Sequence, residues 1–172
     1  QLTERGIPVD NVAAKTGFTF AIGSNYFMEI AKLRAARLLW ALIVKAYKPL
    51  SEGSCRMNIL SVTSEWNKTI YDPYVNMLRS QTEAMSATLG GTDALVVNPF
   101  DSVFAEPGEF SMRIARNQQL LLKEEAHFDK VADPGAGSYY IETLTAMVAE
   151  SAWKLFVGTE ERGGFIKALK DG

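Results

Sequence analysis

The sequence predicts an α/β fold with parallel strands. Two observations carry this. A short apolar strand followed by a helix recurs three times along the chain, and helical crossovers between strands imply parallel pairing with right-handed connections. The third strand is also a continuous apolar run, Ala94-Leu95-Val96-Val97, as expected of a parallel strand covered on both faces.

The first strand is FTFAIG, over 18–23, where Phe18, Phe20 and Ile22 alternate with smaller residues at a period of two. Ser24 or Asn25 is placed to cap a helix over 26–46. Glu29 lies near its positive end and Lys45 near its negative end, as the helix dipole favours. From Leu38 to Val44 that helix is apolar on nearly every side, so burial against more than one neighbour is expected. The second strand is NILSVT, over 58–63, between a polar loop and a helix start. Asp72 as cap and Pro73 at the first helical position predict a helix running to Leu89, with Gly90-Gly91 as a left-handed stop. Tyr74, Leu78 and Met85 mark its apolar stripe. Pro99 ends the third strand, over 94–98. Pro107 opens a helix over 108–125, and the ADPGAGS segment breaks the chain over 133–138. Two helices follow, over 139–156 and 160–170.

Three such units make either a small open sheet or part of a barrel. An eightfold (β/α) barrel needs roughly 250 residues, so a chain of 172 holds under half of one. Two edge strands would then lack partners and favour self-association. The absence of an initial Met and the ending KALKDG suggest a piece of something longer.

Composition is ordinary for a globular protein, with 47% hydrophobic and 22% charged residues. A net charge of −2 and scattered basic residues give no footprint for nucleic acid or an anionic membrane. The run from Leu38 to Val44 is far shorter than the roughly 20 residues of a membrane span. Cys55 is the only cysteine, which excludes an internal disulfide and a cysteine zinc cluster and fits a reducing cytoplasm.

Few residues suggest chemistry. His127, the only histidine, sits at a helix end, where complementing the dipole competes with a general-base role. Gly90-Gly91 follows a helix, so it reads as a stop; the glycines of DPGAGS read as a turn before an anion cradle. Arg34 and Arg37, three apart on one helix face, form either an anion clamp or a salt-bridged face. Tyr26, Phe27, Trp40 and Trp66 read as core or interface. Glu124 and Glu125 are adjacent and point in different directions.

Longer matches go further. FMEIAKLRAARLLWA, TSEW, DPYVNMLRSQTEAMSATLGGTDAL, RIARNQQLLLKEE and VADPGAGSYYIETLT follow one another as successive segments of the methylmalonyl-CoA mutase family do, over about 6–172. The resemblance implies the last three strands of a (β/α)8 TIM barrel over 1–130 and the start of linker helices over 131–172. Family members thread a CoA ester along the barrel axis and bind adenosylcobalamin in a separate domain through D-x-H-x-x-G. That motif is absent here, because His127 sits in EAHFDK.

At the second strand, catalytic family members read R-T-H-C-Q-T-S-G-W, and the His and Gln bind the acyl part of the substrate. Aligned through TSEW, those positions are Leu60 and Val62, and the family's Gly is Glu65. A substrate-binding lysine falls near Gly53; G-G-T-Q becomes Gly90-Gly91-Thr92-Asp93; H-T-N becomes Val96-Val97-Asn98; and the Trp of D-P-W-G-G becomes Gly135. Leu and Val leave a buried acyl oxygen unsatisfied, at about 1–3 kcal/mol per lost partner, and Asp93 is placed to repel a substrate carboxylate. The segment is thus expected to hold no catalytic, cofactor or metal residue. It resembles the related small chain of heterodimeric bacterial mutases, whose catalytic large subunit carries the cobalamin and isomerises (R)-methylmalonyl-CoA and succinyl-CoA. The alternative is an active mutase whose Leu60 and Val62 line an apolar acyl pocket.

Overall fold

The computed structural model describes residues 2–172. Its elements in chain order are α1 (Val9–Lys15), β1 (Phe18–Ile22), α2 (Tyr26–Ala46), β2 (Ile59–Thr63), α3 (Val75–Leu89), β3 (Ala94–Val96), α4 (Glu109–Leu120), α5 (Tyr139–Glu161) and α6 (Phe165–Asp171). The strands form one parallel sheet in the order β1-β2-β3. Sequence order equals spatial order, and each crossover is a helix, as in part of a TIM barrel.

One side of the sheet is covered by helices. Ile22 and Ile59 join Leu33 of α2 and Ala87 of α3 in a buried cluster, with Phe18, Phe20, Trp40 and Leu95 packed around it. Each fully buried Ile or Leu contributes about 1.5–3 kcal/mol. Gly90 belongs to this contact, because a Cβ there would lie 2.9 Å from a methyl of Leu33. Helix α5 runs parallel to α2 on the outside: Phe27 meets Tyr140 edge-to-face at 5.4 Å, and Arg34 reaches Thr145 further along.

Several expectations need correction. Helix α3 begins at Val75 rather than after Asp72, which is held at φ +47° in a turn. Its buried face is not the stripe through Tyr74 and Leu78, both exposed, but Asn76, Ser80, Glu83, Ala84, Ser86 and Ala87. The polar members of that face are buried with internal partners; Asn76, for example, donates to the carbonyls of Thr69 and Phe100. Within 38–44 only Val44 is buried, and Leu38 and Leu42 border an open cleft. Strand β3 spans three residues, is covered on one face, and leaves Val96 44% exposed. The predicted helix over 108–125 divides into α4 and a wider turn over Leu121–Glu125, closed by the Ala126 amide on Leu121 O at 2.9 Å. Helix α5 runs on to Glu161, and Gly163 and Gly164, at φ +96° and +85°, set the break before α6. Helix α1 and the short turn at Glu52–Cys55 carry no period long enough to be read from sequence.

Candidate functional site

In a (β/α) barrel, chemistry sits at the carboxyl ends of the strands, and the sheet face away from the helices lines the barrel interior. Here that face is fixed by alternation. Phe18, Phe20, Ile22, Ile59 and Leu95 turn toward the helices, so the residues between them turn to the open side. Strand register then lines up two rows, Thr19–Leu60–Ala94 and Ala21–Val62–Val96. Leu60 and Val62 are therefore neighbours on the exposed face of the central strand. The six side chains include one hydroxyl, that of Thr19, and no acid, base or charge. Such a surface packs against apolar matter and has little to offer a thioester or a carboxylate.

The strand ends are equally committed to structure. The Asn98 backbone N–H donates to Thr63 Oγ1 at 2.8 Å, and its side-chain amide donates to Thr63 O at 2.9 Å. Lys32 of α2 donates to Ala21 O at 2.7 Å and pairs with Glu29. Behind the β2 end, Lys68 Nζ donates to both oxygens of Glu83 at 2.6 and 2.7 Å, and both side chains are 1% exposed. Asn67 also donates to Glu83, at 2.7 Å, and the Thr69 N–H donates to Asn76 at 3.1 Å. Desolvation pushes the Lys68 ammonium down and the Glu83 carboxyl up from their ordinary values, although each partner resists the other's shift. The loop after β2 is pinned inward, and Trp66, read as core or interface, stands 97% exposed.

Asp93 does not face this surface. It precedes β3 and so lies at the amino end of the sheet. It accepts the Ile59 N–H at 2.9 Å and pairs with Arg37 at 2.8 Å and Arg56 at 2.9 Å. Burial raises its pKa, but the Ile59 amide and the two guanidiniums outweigh that and hold the carboxyl below its usual value. The carboxylate is thus engaged by protein groups and is not turned toward the open face to repel a substrate carboxylate: Asp93 ties β2, β3 and α2 together.

Of the two readings of Arg34 and Arg37, the salt-bridged one holds. Arg34 donates to both oxygens of Asp133 at 2.9 and 3.0 Å, to Glu142 at 2.8 Å and to Thr145 at 2.9 Å. Arg37 adds bonds to the carbonyls of Met57 and Gly91. The DPGAGS segment is a turn whose Gly137 N–H donates to Glu142 at 3.1 Å, and a Cβ on Gly135 would meet Ile141 at 3.1 Å. Gly53 lies in the short turn before β2, and Glu65, Glu124, Glu125 and His127 are exposed. Among the described residues no group of three or more His, Cys, Asp or Glu could hold a metal ion, and no helix is long and apolar enough to cross a membrane.

Comparison with known proteins agrees with the resemblance. The family profile described as methylmalonyl-CoA mutase matches residues 1–172. The chain is 55% identical over 171 residues to the methylmalonyl-CoA mutase small subunit of Porphyromonas gingivalis, covering 99% of this chain and 28% of that one. The chain belongs to the methylmalonyl-CoA mutase family. Two further members are the methylmalonyl-CoA mutase of Cereibacter sphaeroides, 50% identical, and the Porphyromonas gingivalis large subunit, 46% identical. Each match covers 98% of this chain and 24% of the relative. This mutase-family chain thus spans about a quarter of the length of the curated relatives it matches.

Within the family frame, the polar centre that sequence reasoning missed is Lys68–Glu83. Lys68 lies in a loop of no regular period, and Glu83 lies off the apolar stripe of its helix. The pairing spans 15 residues and follows from the fold rather than from any local pattern.

Proposed function

We propose that this chain forms part of the barrel of a non-catalytic small subunit, which supports a catalytic large subunit in the mutase reaction. The barrel segment is placed over 1–130 and the start of the linker helices over 131–172. The holoenzyme would isomerise (R)-methylmalonyl-CoA and succinyl-CoA by cobalamin radical chemistry, in the cytoplasm. The observation that carries this reading is the composition of the open face: Leu60 and Val62, flanked by Thr19, Ala21, Ala94 and Val96, present no proton carrier and no charge. The greater identity to a small subunit than to the large subunit of the same organism favours the same assignment.

The residues present do not fit adenosylcobalamin. The only imidazole is His127, exposed just beyond the α4 segment at φ +54°, in a sequence that lacks D-x-H-x-x-G. The cofactor is placed on the large subunit. The free edges of β1 and β3 are the surfaces through which this segment alone would self-associate.

The test is reconstitution. The full-length chain is assayed alone and after mixing with its large subunit, each supplied with adenosylcobalamin and methylmalonyl-CoA. The scaffold reading predicts turnover only where the large subunit is present, and more stable activity when both chains are mixed. Turnover by the full-length chain alone would establish the apolar-pocket mutase instead.

A further inference from the structure

The carboxylate of Asp93 is held as a bound ion would be. Its Oδ1 accepts from Arg56 at 2.9 Å, and its Oδ2 accepts from Arg37 at 2.8 Å and from the Ile59 backbone N–H at 2.9 Å. Two guanidiniums and a main-chain amide converging on one carboxylate are a donor set suited to oxyanions. Two cations face a single negative charge there, so the donors outweigh the carboxylate they hold. The cluster borders a cavity of about 710 Å³. The other carboxylates on its wall are committed elsewhere: Asp133 and Glu142 to Arg34, and Asp129 to Lys130 at 3.1 Å.

Two of the three donors are fixed by groups other than Asp93. Arg37 also donates to the carbonyls of Met57, at 2.7 Å, and Gly91. The Ile59 N–H belongs to the first residue of β2, which is paired with Phe18 of β1. The main chain at position 93 is fixed apart from its side chain, because the Asp93 N–H donates to Ile59 O at 3.0 Å and Thr92 Oγ1 donates to the same oxygen at 3.2 Å. Arg56 supplies the second charge from the residues just before β2. All of these groups belong to this segment, so the donor set is complete without the rest of the chain.

We propose that Arg37, Arg56 and the Ile59 N–H form an oxyanion seat at the amino end of the sheet, which Asp93 occupies as an internal ligand and closes to ions from solution. The ligand class is a small oxyanion, a monocarboxylate or inorganic phosphate, taken up between the two guanidiniums once the side chain at 93 carries no carboxylate. Asp93 is then an autoinhibitory contact. It is tethered beside its donors, so its effective concentration there exceeds that of a free anion. Its removal leaves two like charges facing one space without a counter-charge, which weakens the amino end of the sheet until an ion enters.

The experiment melts the full-length Asp93→Ala chain against rising formate, phosphate or chloride at constant ionic strength, beside the parent. The seat predicts a lower Tm than the parent in chloride and a saturable recovery in formate, in phosphate or in both, with no such rise in the parent. Recovery in formate alone makes the seat specific for carboxylates, and recovery in both makes it a general oxyanion seat. Adding Arg56→Ala to Asp93→Ala should abolish the recovery. No recovery, an equal rise in the parent, or a recovery that survives the loss of Arg56 overturns the proposal. If Asp93→Ala does not fold in chloride, the readout is the yield of folded protein in formate and phosphate. Asp93→Gly, which leaves more room for the ion, is the second variant, and failure of both variants to fold in every anion also overturns the seat.

Discussion

Lys68 and Glu83 form a bidentate ion pair at 2.6 and 2.7 Å, with both side chains 1% exposed, beneath the loop that follows the central strand. In a barrel enzyme such a loop frames the active site. Here the pair anchors it behind a sheet face that has no chemistry of its own.

Desolvation dominates both members of that pair, so its removal should depend on how it is removed. Lys68→Met alone leaves a buried, uncompensated carboxylate and should cost about 3–5 kcal/mol. Lys68→Met with Glu83→Gln keeps an acceptor for Asn67 and should fall within about 1 kcal/mol of the parent. Urea unfolding of the three proteins measures both values. Equal losses in the single and double variants would mean that the pair is a net source of stability.

Asp93 predicts a pH dependence. Its folded pKa lies below the ordinary carboxylate value. Its contribution is therefore complete above about pH 4 and is lost as pH falls through the folded value. The Tm difference between the parent and Asp93→Asn should be full at pH 7 and pH 5 and should shrink at pH 3. A difference that stays constant to pH 3 would mean that the two arginines and the Ile59 amide do not hold a carboxylate.

Arg34 joins four acceptor atoms on Asp133, Glu142 and Thr145. A lysine ammonium cannot match that planar fork. Arg34→Lys should speed amide exchange over 133–145 on the order of tenfold, without a like change in the sheet. Uniform acceleration across the chain would instead mark Arg34 as part of the global core.

Leu60→His with Val62→Gln returns two hydrogen-bonding groups to the open face. At about 1 kcal/mol each, they should give the full-length chain a CoA-ester binding that the parent lacks. The comparison is made by equilibrium dialysis against the parent. No gain would show that more of the site than these two positions has been lost.

Much of this was legible in the sequence. Alternating Phe18, Phe20 and Ile22 located β1, and a helix over 26–46 matches α2 from Tyr26 to Ala46. Strand periodicity puts Leu60 and Val62 on one face of β2, and the register confirms that placement. What failed were inferences that need the third dimension. The stripe through Tyr74 and Leu78 obeys helical spacing, yet α3 buries its small and polar face, because Asn76, Ser80 and Glu83 find internal partners. Asp93 was placed in the substrate's path although it precedes its strand. A residue before a parallel strand lies at the amino end, so chain order already held that signal.

The most direct measurement is calorimetric titration of methylmalonyl-CoA into the full-length chain, shown to be folded by circular dichroism. The account predicts no heat of binding, because the open face around Leu60 and Val62 has no partner for the acyl oxygens. A saturable isotherm with micromolar affinity would contradict it and make this chain a substrate-binding mutase.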